Sequence, residues 1–320
     1  MNKFALLVGN GFTLDYILSK KLHSSYPLKN FKSDKIQYNF DFMSHLPHIR
    51  NLKSINENED FDAIKFYVHN FRKIEAEYNS LPNHLKHSIH LDSKYTKAIE
   101  QDVQLRRFIA MAYSVLQLEI DKYDLADWKW TSWLAANLPK LSVAVSLNYD
   151  LNLENALTNS GAICYRVGAN ELQKGVPVIK PHGSIDFDLP DSVININPWS
   201  LSASLNDAQY VQVIPKSKWL SPRMEADIIV PSLHNIQLHL SWVEKMYAQY
   251  AESAKEIDTL VIIGCSYWDV DRPEIDLFLN KLKRRAKIFV IDPSPSIDLK
   301  KKIQALGLSY REGNTNGLPW

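Results

Sequence analysis

The chain has 320 residues, of which 45% are hydrophobic and 23% charged, the make-up of an ordinary globular protein and not of a disordered or fibrous one. Its formal net charge of +1 gives no electrostatic case for nucleic acid as a main partner. Its two cysteines, Cys164 and Cys265, can build neither a disulfide framework nor a four-cysteine zinc site, so a reducing cytoplasm is the expected compartment.

Residues 4–8 are apolar and stop at Gly9-Asn10-Gly11, which predicts a short buried strand ended by a turn. The run is shorter than the ~7–15 residues of a secretory core, and no later stretch approaches the ~20 apolar residues of a bilayer span. Neither export nor a membrane is expected. Residues 13–22 predict a helix with Thr13 as N-cap and Asp15 in its first turn.

Residues 24–58 are irregular and polar, and 61–123 are mostly helical. Apolar side chains recur there at three- and four-residue steps: Phe61, Ile64, Val68 and Phe71, then Phe108, Met111, Val115 and Leu118. After a helix at 128–138 the chain alternates. Strands are expected at 141–147, 163–167, 176–180, 259–263 and 288–291, with helices at 151–159, 236–254, 271–285 and 296–306. This predicts an α/β fold, a Rossmann-like parallel sheet of about six strands with helices on both faces. Residues 1–23 and 128–320 would form that domain, and 24–127 a mainly helical insertion after the first strand unit.

Ligands of open parallel sheets bind outside the carboxyl ends of the strands, near a switch in strand order. Polar or glycine-bearing clusters follow five of the expected strands: Gly9-Asn10-Gly11, Asn148-Tyr149-Asp150, His182-Gly183-Ser184, Gly264-Cys265-Ser266 and Asp292. On one sheet edge they would form a single crevice. The G-x-G of Gly9 and Gly11 suits close backbone approach to a pyrophosphate at a helix N-terminus, or simply a tight strand–helix turn. Leu14 stands where the usual fingerprint has its third glycine, and no acid ends a second strand ~20 residues on, which counts against a hydride-transfer dehydrogenase. Asn148 and Asp150 could equally cap a helix, and His182 could be a core histidine. Together, an amide to place water or ribose, an acid to engage a carboxamide and a base to activate a hydroxyl suit cleavage of an N-glycosidic bond.

In order and strand-end placement these clusters resemble the sirtuin family, which carries a G-A-G loop, Q-N-x-D, a catalytic H-G, a G-T/C-S turn and a polar residue after its last nucleotide-binding strand. The counterparts are Gly9-Asn10-Gly11, Leu147-Asn148-Tyr149-Asp150, His182-Gly183, Gly264-Cys265-Ser266 and Val290-Ile291-Asp292. The strings from Ser146 to Asp150 and from Lys180 to Asp186 look still more like bacterial sirtuin-like proteins of anti-phage defence. The likeness skips residues 24–127.

It departs from the deacylating sirtuins in lacking the zinc module, and Thr13-Leu14-Asp15-Tyr16 stands in place of their G-I-P-D-F-R loop. Leu147 replaces a glutamine and Asp292 an asparagine. The resemblance therefore implies hydrolysis of NAD to nicotinamide and ADP-ribose, with NAD as substrate and no metal. Asn148, His182 and Asp150 would be catalytic. Gly9, Asn10, Gly11, Phe12, Gly264, Cys265, Ser266 and Asp292 would bind the dinucleotide. Because free NAD cleavage would poison its own cell, a homo-oligomer or a separately encoded defence partner is expected to gate it. The alternatives are a module that senses NAD or ADP-ribose without turnover, and an NAD-dependent protein deacylase.

Other features have plainer readings. His84, His87 and His90 suit a solvated helix start better than a metal site; Trp128, Trp130 and Trp133 suit packing or an interface. The basic clusters at Lys283 to Arg285 and Lys300 to Lys302 read as solvated helix faces, which leaves nucleic acid an unlikely partner.

Overall fold

β1 (Lys3–Val8) is buried along five of its six residues, and its pleat divides them between two cores. Phe4, Leu6 and Val8 face one hydrophobic cluster, Ala5 and Leu7 the other. A strand apolar on both faces belongs in the middle of a covered parallel sheet, and β1 sits there.

The computed structural model describes residues 3–22, 73–74, 77, 80, 82, 93–190, 208–220, 228–229, 240–314 and 316–320. The remaining strands are β2 (Leu141–Ser146), β3 (Cys164–Arg166), β4 (Val176–Ile179), β5 (Phe187–Asp188), β6 (Gln212–Val213), β7 (Ile257–Ile263), β8 (Lys287–Ile291) and β9 (Ser309–Glu312). Seven form one sheet in the order β3-β4-β2-β1-β7-β8-β9, every pairing parallel. β5 and β6 make a separate antiparallel pair.

The helices are α1 (Asn10–Ser19), α2 (Ser93–Ile120), α3 (Lys129–Asn137), α4 (Asn152–Asn159), α5 (Ser241–Ala254), α6 (Arg272–Asn280) and α7 (Ile297–Ala305). Buried residues of α1 to α4 share the cluster of Phe4 and Leu6, and those of α5 to α7 share that of Ala5 and Leu7. The sheet is covered on both faces, and the expected α/β, Rossmann-like class is what the chain forms. The C-terminal half of α2, within residues 24–127, packs through Ile109, Met111, Leu116 and Ile120 into the same cluster as β1. No helix among the described residues is long and apolar enough to cross a membrane.

From β1 the chain builds the sheet outward through β2, then returns at β7 on the other side of β1. The switch in strand order thus falls between β1 and β7, and the turns after these two strands meet there.

Several boundaries differ from the sequence reading. α1 starts at Asn10 with Gly9 as N-cap, three residues before expected. Thr13 is therefore inside the first turn, and its hydroxyl serves a neighbouring loop instead of a cap. α6 ends at Asn280, before Arg285, which takes a positive φ of 69°. β9 was not expected, since Ser-Tyr-Arg-Glu is a polar, half-exposed edge strand that only pairing with β8 makes visible. His84, His87, His90, Phe61, Ile64, Val68, Phe71 and Ile236 lie outside the described residues. Trp128, Trp130 and Trp133 are buried, with Trp128 4.6 Å from Phe12 and Trp133 5.4 Å from Phe4 between ring centres.

Candidate active site at the strand ends

The turns after β1 and β7 are pressed together. The Gly9 N–H donates to the Ile263 carbonyl at 2.9 Å and the Gly11 N–H to the Gly264 carbonyl at 3.0 Å. A Cβ on Gly11 would lie 2.5 Å from the Gly264 Cα, and one on Gly9 2.6 Å from the Gly264 oxygen. These glycines are therefore required by one turn approaching the other, which is the tight-turn reading of the G-x-G, and the Gly11 N–H is committed within the protein. Phe12 turns its ring into the aromatic core, and Asn10 stays half-buried at the helix start.

Asn148, in the turn after β2, binds back onto this unit. Its Nδ2 donates to the Gly9 carbonyl at 2.9 Å and to Thr13 Oγ1 at 3.2 Å. A carbonyl oxygen can only accept, so the amide nitrogen must point this way. That leaves Asn148 Oδ1, an acceptor, without a partner among the described residues. Thr13 in turn donates to Asp150 Oδ2 at 2.7 Å, and the Asn152 N–H donates to Asp150 Oδ1 at 3.1 Å. Asp150 thus holds the turn leading into α4, the capping role that its spacing also allowed. Burial raises its pKa, opposed by Lys180 and by the Thr13 hydrogen bond.

Lys180 is fully buried directly after β4. Its ammonium donates to the Asp150 carbonyl at 2.5 Å and lies 3.1 Å from Glu154 Oε1. Two residues on, His182 places Nδ1 3.1 Å from the Leu147 carbonyl and Nε2 3.2 Å from Glu274 Oε1. Nδ1 faces an acceptor and so carries a proton. Burial alone would lower the His182 pKa. The Glu274 carboxylate, by charge and hydrogen bond, together with Asp271, overcomes this and raises it to about 9. The imidazole is 2% exposed, and Asn148 7%.

Four of the five expected clusters thus form a chain of contacts: Gly9 to Asn148, Asn148 to Asp150 through Thr13, Leu147 to His182, and Gly11 to Gly264. The fifth, Asp292, is half-buried and accepts the Ser294 N–H at 2.8 Å. A cavity of about 520 Å³, in the range of small-molecule sites, opens beside the β7 turn. Ser266, Trp268, Asp269, Arg272, Ser296 and Asp298 are among its walls. Of the expected dinucleotide contacts only Ser266 lines it; the Cys265 thiol turns inward, its pKa raised well above the ordinary thiol value by burial. His182 and Asn148 are not on its walls.

Three residues with a part here escaped the sequence reading. Thr13 read as a helix cap. Lys180 is a charge continuing an apolar strand, a signal of buried pairing that was legible. Glu274 follows Pro273 in a helix first turn, where an acid ordinarily faces water. Among the described residues no group of three or more histidine, cysteine or acidic side chains could hold a metal ion.

No family model matches the chain, and no curated protein matches it. The fold is similar to a solved structure described as "Structural Basis for the Mechanism and Regulation of Sir2 Enzymes", at 10% identity over 97% of this chain and 87% of that one, with a TM-score of 0.30.

Proposed function

We propose that this chain is an NAD glycohydrolase, releasing nicotinamide and ADP-ribose. The observation that carries the reading is that Asn148 and His182 follow the neighbouring strands β2 and β4 and are tied through the Leu147 carbonyl, with the Asn148 amide locked by Gly9 and Thr13 so that its oxygen is turned away from them to accept from water or a ribose hydroxyl. The Leu147 carbonyl fixes the His182 tautomer, which leaves Nε2 as the nitrogen that would take a proton. Asp150 and Lys180 hold these turns. The cavity beside Ser266 is roomy enough to seat part of a dinucleotide. Departure of nicotinamide as a neutral molecule discharges its pyridinium, and water completes the reaction at the ribose carbon. The sequence resemblance supplies the setting: anti-phage defence in the cytoplasm, with activity released by self-assembly or by a separately encoded partner.

The test is nicotinamide release from NAD by the full chain and by His182→Ala and Asn148→Ala. A general base contributes about 10²–10⁴-fold, so His182→Ala should lose that much. Undiminished release would remove His182 from the mechanism. One observation favours a second reading, a module that binds NAD or ADP-ribose without turnover: both His182 nitrogens are engaged and the ring is shut away. Calorimetric binding of NAD with no nicotinamide formed would select it.

A further inference from the structure

We infer that Glu274 is a latch on His182, an autoinhibitory contact that must part before the imidazole can accept a proton. The inference rests on the reading of His182 as general base. It stands first on geometry. Nδ1 donates to the Leu147 carbonyl, so Nε2 is the nitrogen available to a substrate hydroxyl or water, and Glu274 Oε1 occupies it at 3.2 Å. Both partners are buried, His182 2% and Glu274 1% exposed. They also come from opposite sides of the switch. His182 follows β4, whereas Glu274 stands in the first turn of α6, after β7, so the contact reaches across the ends of β2 and β1.

The chemistry of the pair explains why it is closed. Two buried groups of this kind are stabilised together as imidazolium and carboxylate, and an imidazolium has no lone pair with which to act as a base. Among the described residues the charged groups acting on the ring are Glu274 and Asp271, both from the start of α6; the turn after β2 contributes only the Leu147 carbonyl. With the ring held up to about 9, only roughly one molecule in a hundred carries a neutral imidazole at pH 7. Among the described residues Glu274 Oε2 has no hydrogen-bond partner, so the histidine is the one hydrogen-bond tie on this carboxylate there.

Glu274→Gln keeps the shape and removes the charge. The acid limb of nicotinamide release should move from near 9 in the wild type to near 6.5 or below, with a gain of up to about two orders of magnitude at pH 7. NMR titration of His182 in the ligand-free protein reads the same contact without any turnover, and unfolding at pH 6 confirms that the variant is folded. A His182 titration unchanged by Glu274→Gln would overturn the inference. So would a folded Glu274→Gln protein slower than wild type at every pH, which would make Glu274 an orienting partner of the base. A titration that shifts as expected while neither protein releases nicotinamide supports the latch and overturns the hydrolase reading.

Discussion

Gly264 offers the sharpest test of how the two turns at the switch are built. Its φ is +59°, where an L-residue costs about 1–2 kcal/mol. A Cβ there would also lie 2.4 Å from the Gly11 Cα, 2.5 Å from the Gly11 carbonyl carbon and 2.6 Å from the Phe12 nitrogen, all backbone. Ordinary carbon contacts are about 3.5–4.0 Å, so the turns must separate by about 1 Å. That stretches the Gly11 N–H to Gly264 carbonyl bond, now 3.0 Å, between half-buried groups, and its loss costs about 0.5–1.5 kcal/mol. Gly264→Ala should therefore cost about 1.5–3.5 kcal/mol, against a domain stability of about 5–15. Gly307 is the control: its φ is +70°, but no described residue lies within 4 Å of its added Cβ, so Gly307→Ala carries the conformational cost alone. Urea unfolding of both variants beside wild type, compared by midpoint at constant slope, isolates the steric part. Equal losses for the two would refute the close packing of the turns.

The His182–Glu274 pair predicts a pH dependence of stability. Because the folded pKa, about 9, lies above the ordinary 6.5, the pair's contribution is fully present below pH 6.5 and is lost as pH rises through 9; the 2.5-unit difference corresponds to about 3 kcal/mol. The stability gap between wild type and Glu274→Gln should shrink by about that amount from pH 6 to pH 9.5 in thermal unfolding, and a gap that widens would reverse the assigned sign. Lys180→Met should cost about 3–5 kcal/mol in urea unfolding, because it leaves Glu154 buried without its nearest counter-charge and the Asp150 carbonyl without its donor. Thr13→Val keeps the volume but frees Asp150 Oδ2 and one Asn148 contact; a loss of about 1–3 kcal/mol with weakened nicotinamide release is expected, and an unchanged melting curve would deny the bridge.

The strand ends could be read from sequence because local pattern decides them. Apolar runs stopped by glycine or by Asn-x-Asp mark where strands finish, and a parallel sheet must put all those ends on one edge. The division of β1 between two cores follows likewise from its pleat.

Partnership across the switch is different. Gly9 and Gly11 suggested a phosphate turn, yet only the fold showed Gly264 filling the space beside them. Thr13 carried the local signature of a cap, but the helix begins at Asn10, capped by Gly9, and turns the Thr13 hydroxyl toward Asp150. Glu274 is 92 residues from His182, and no spacing rule relates a helix first turn to the end of a strand on the far side of β1. Sequence alone determined which residues reach the functional edge, since periodicity is local. Which of them touch, and which charge faces which, only the tertiary structure decided, because those contacts depend on the strand order, and the order is settled by how both faces of the sheet are covered.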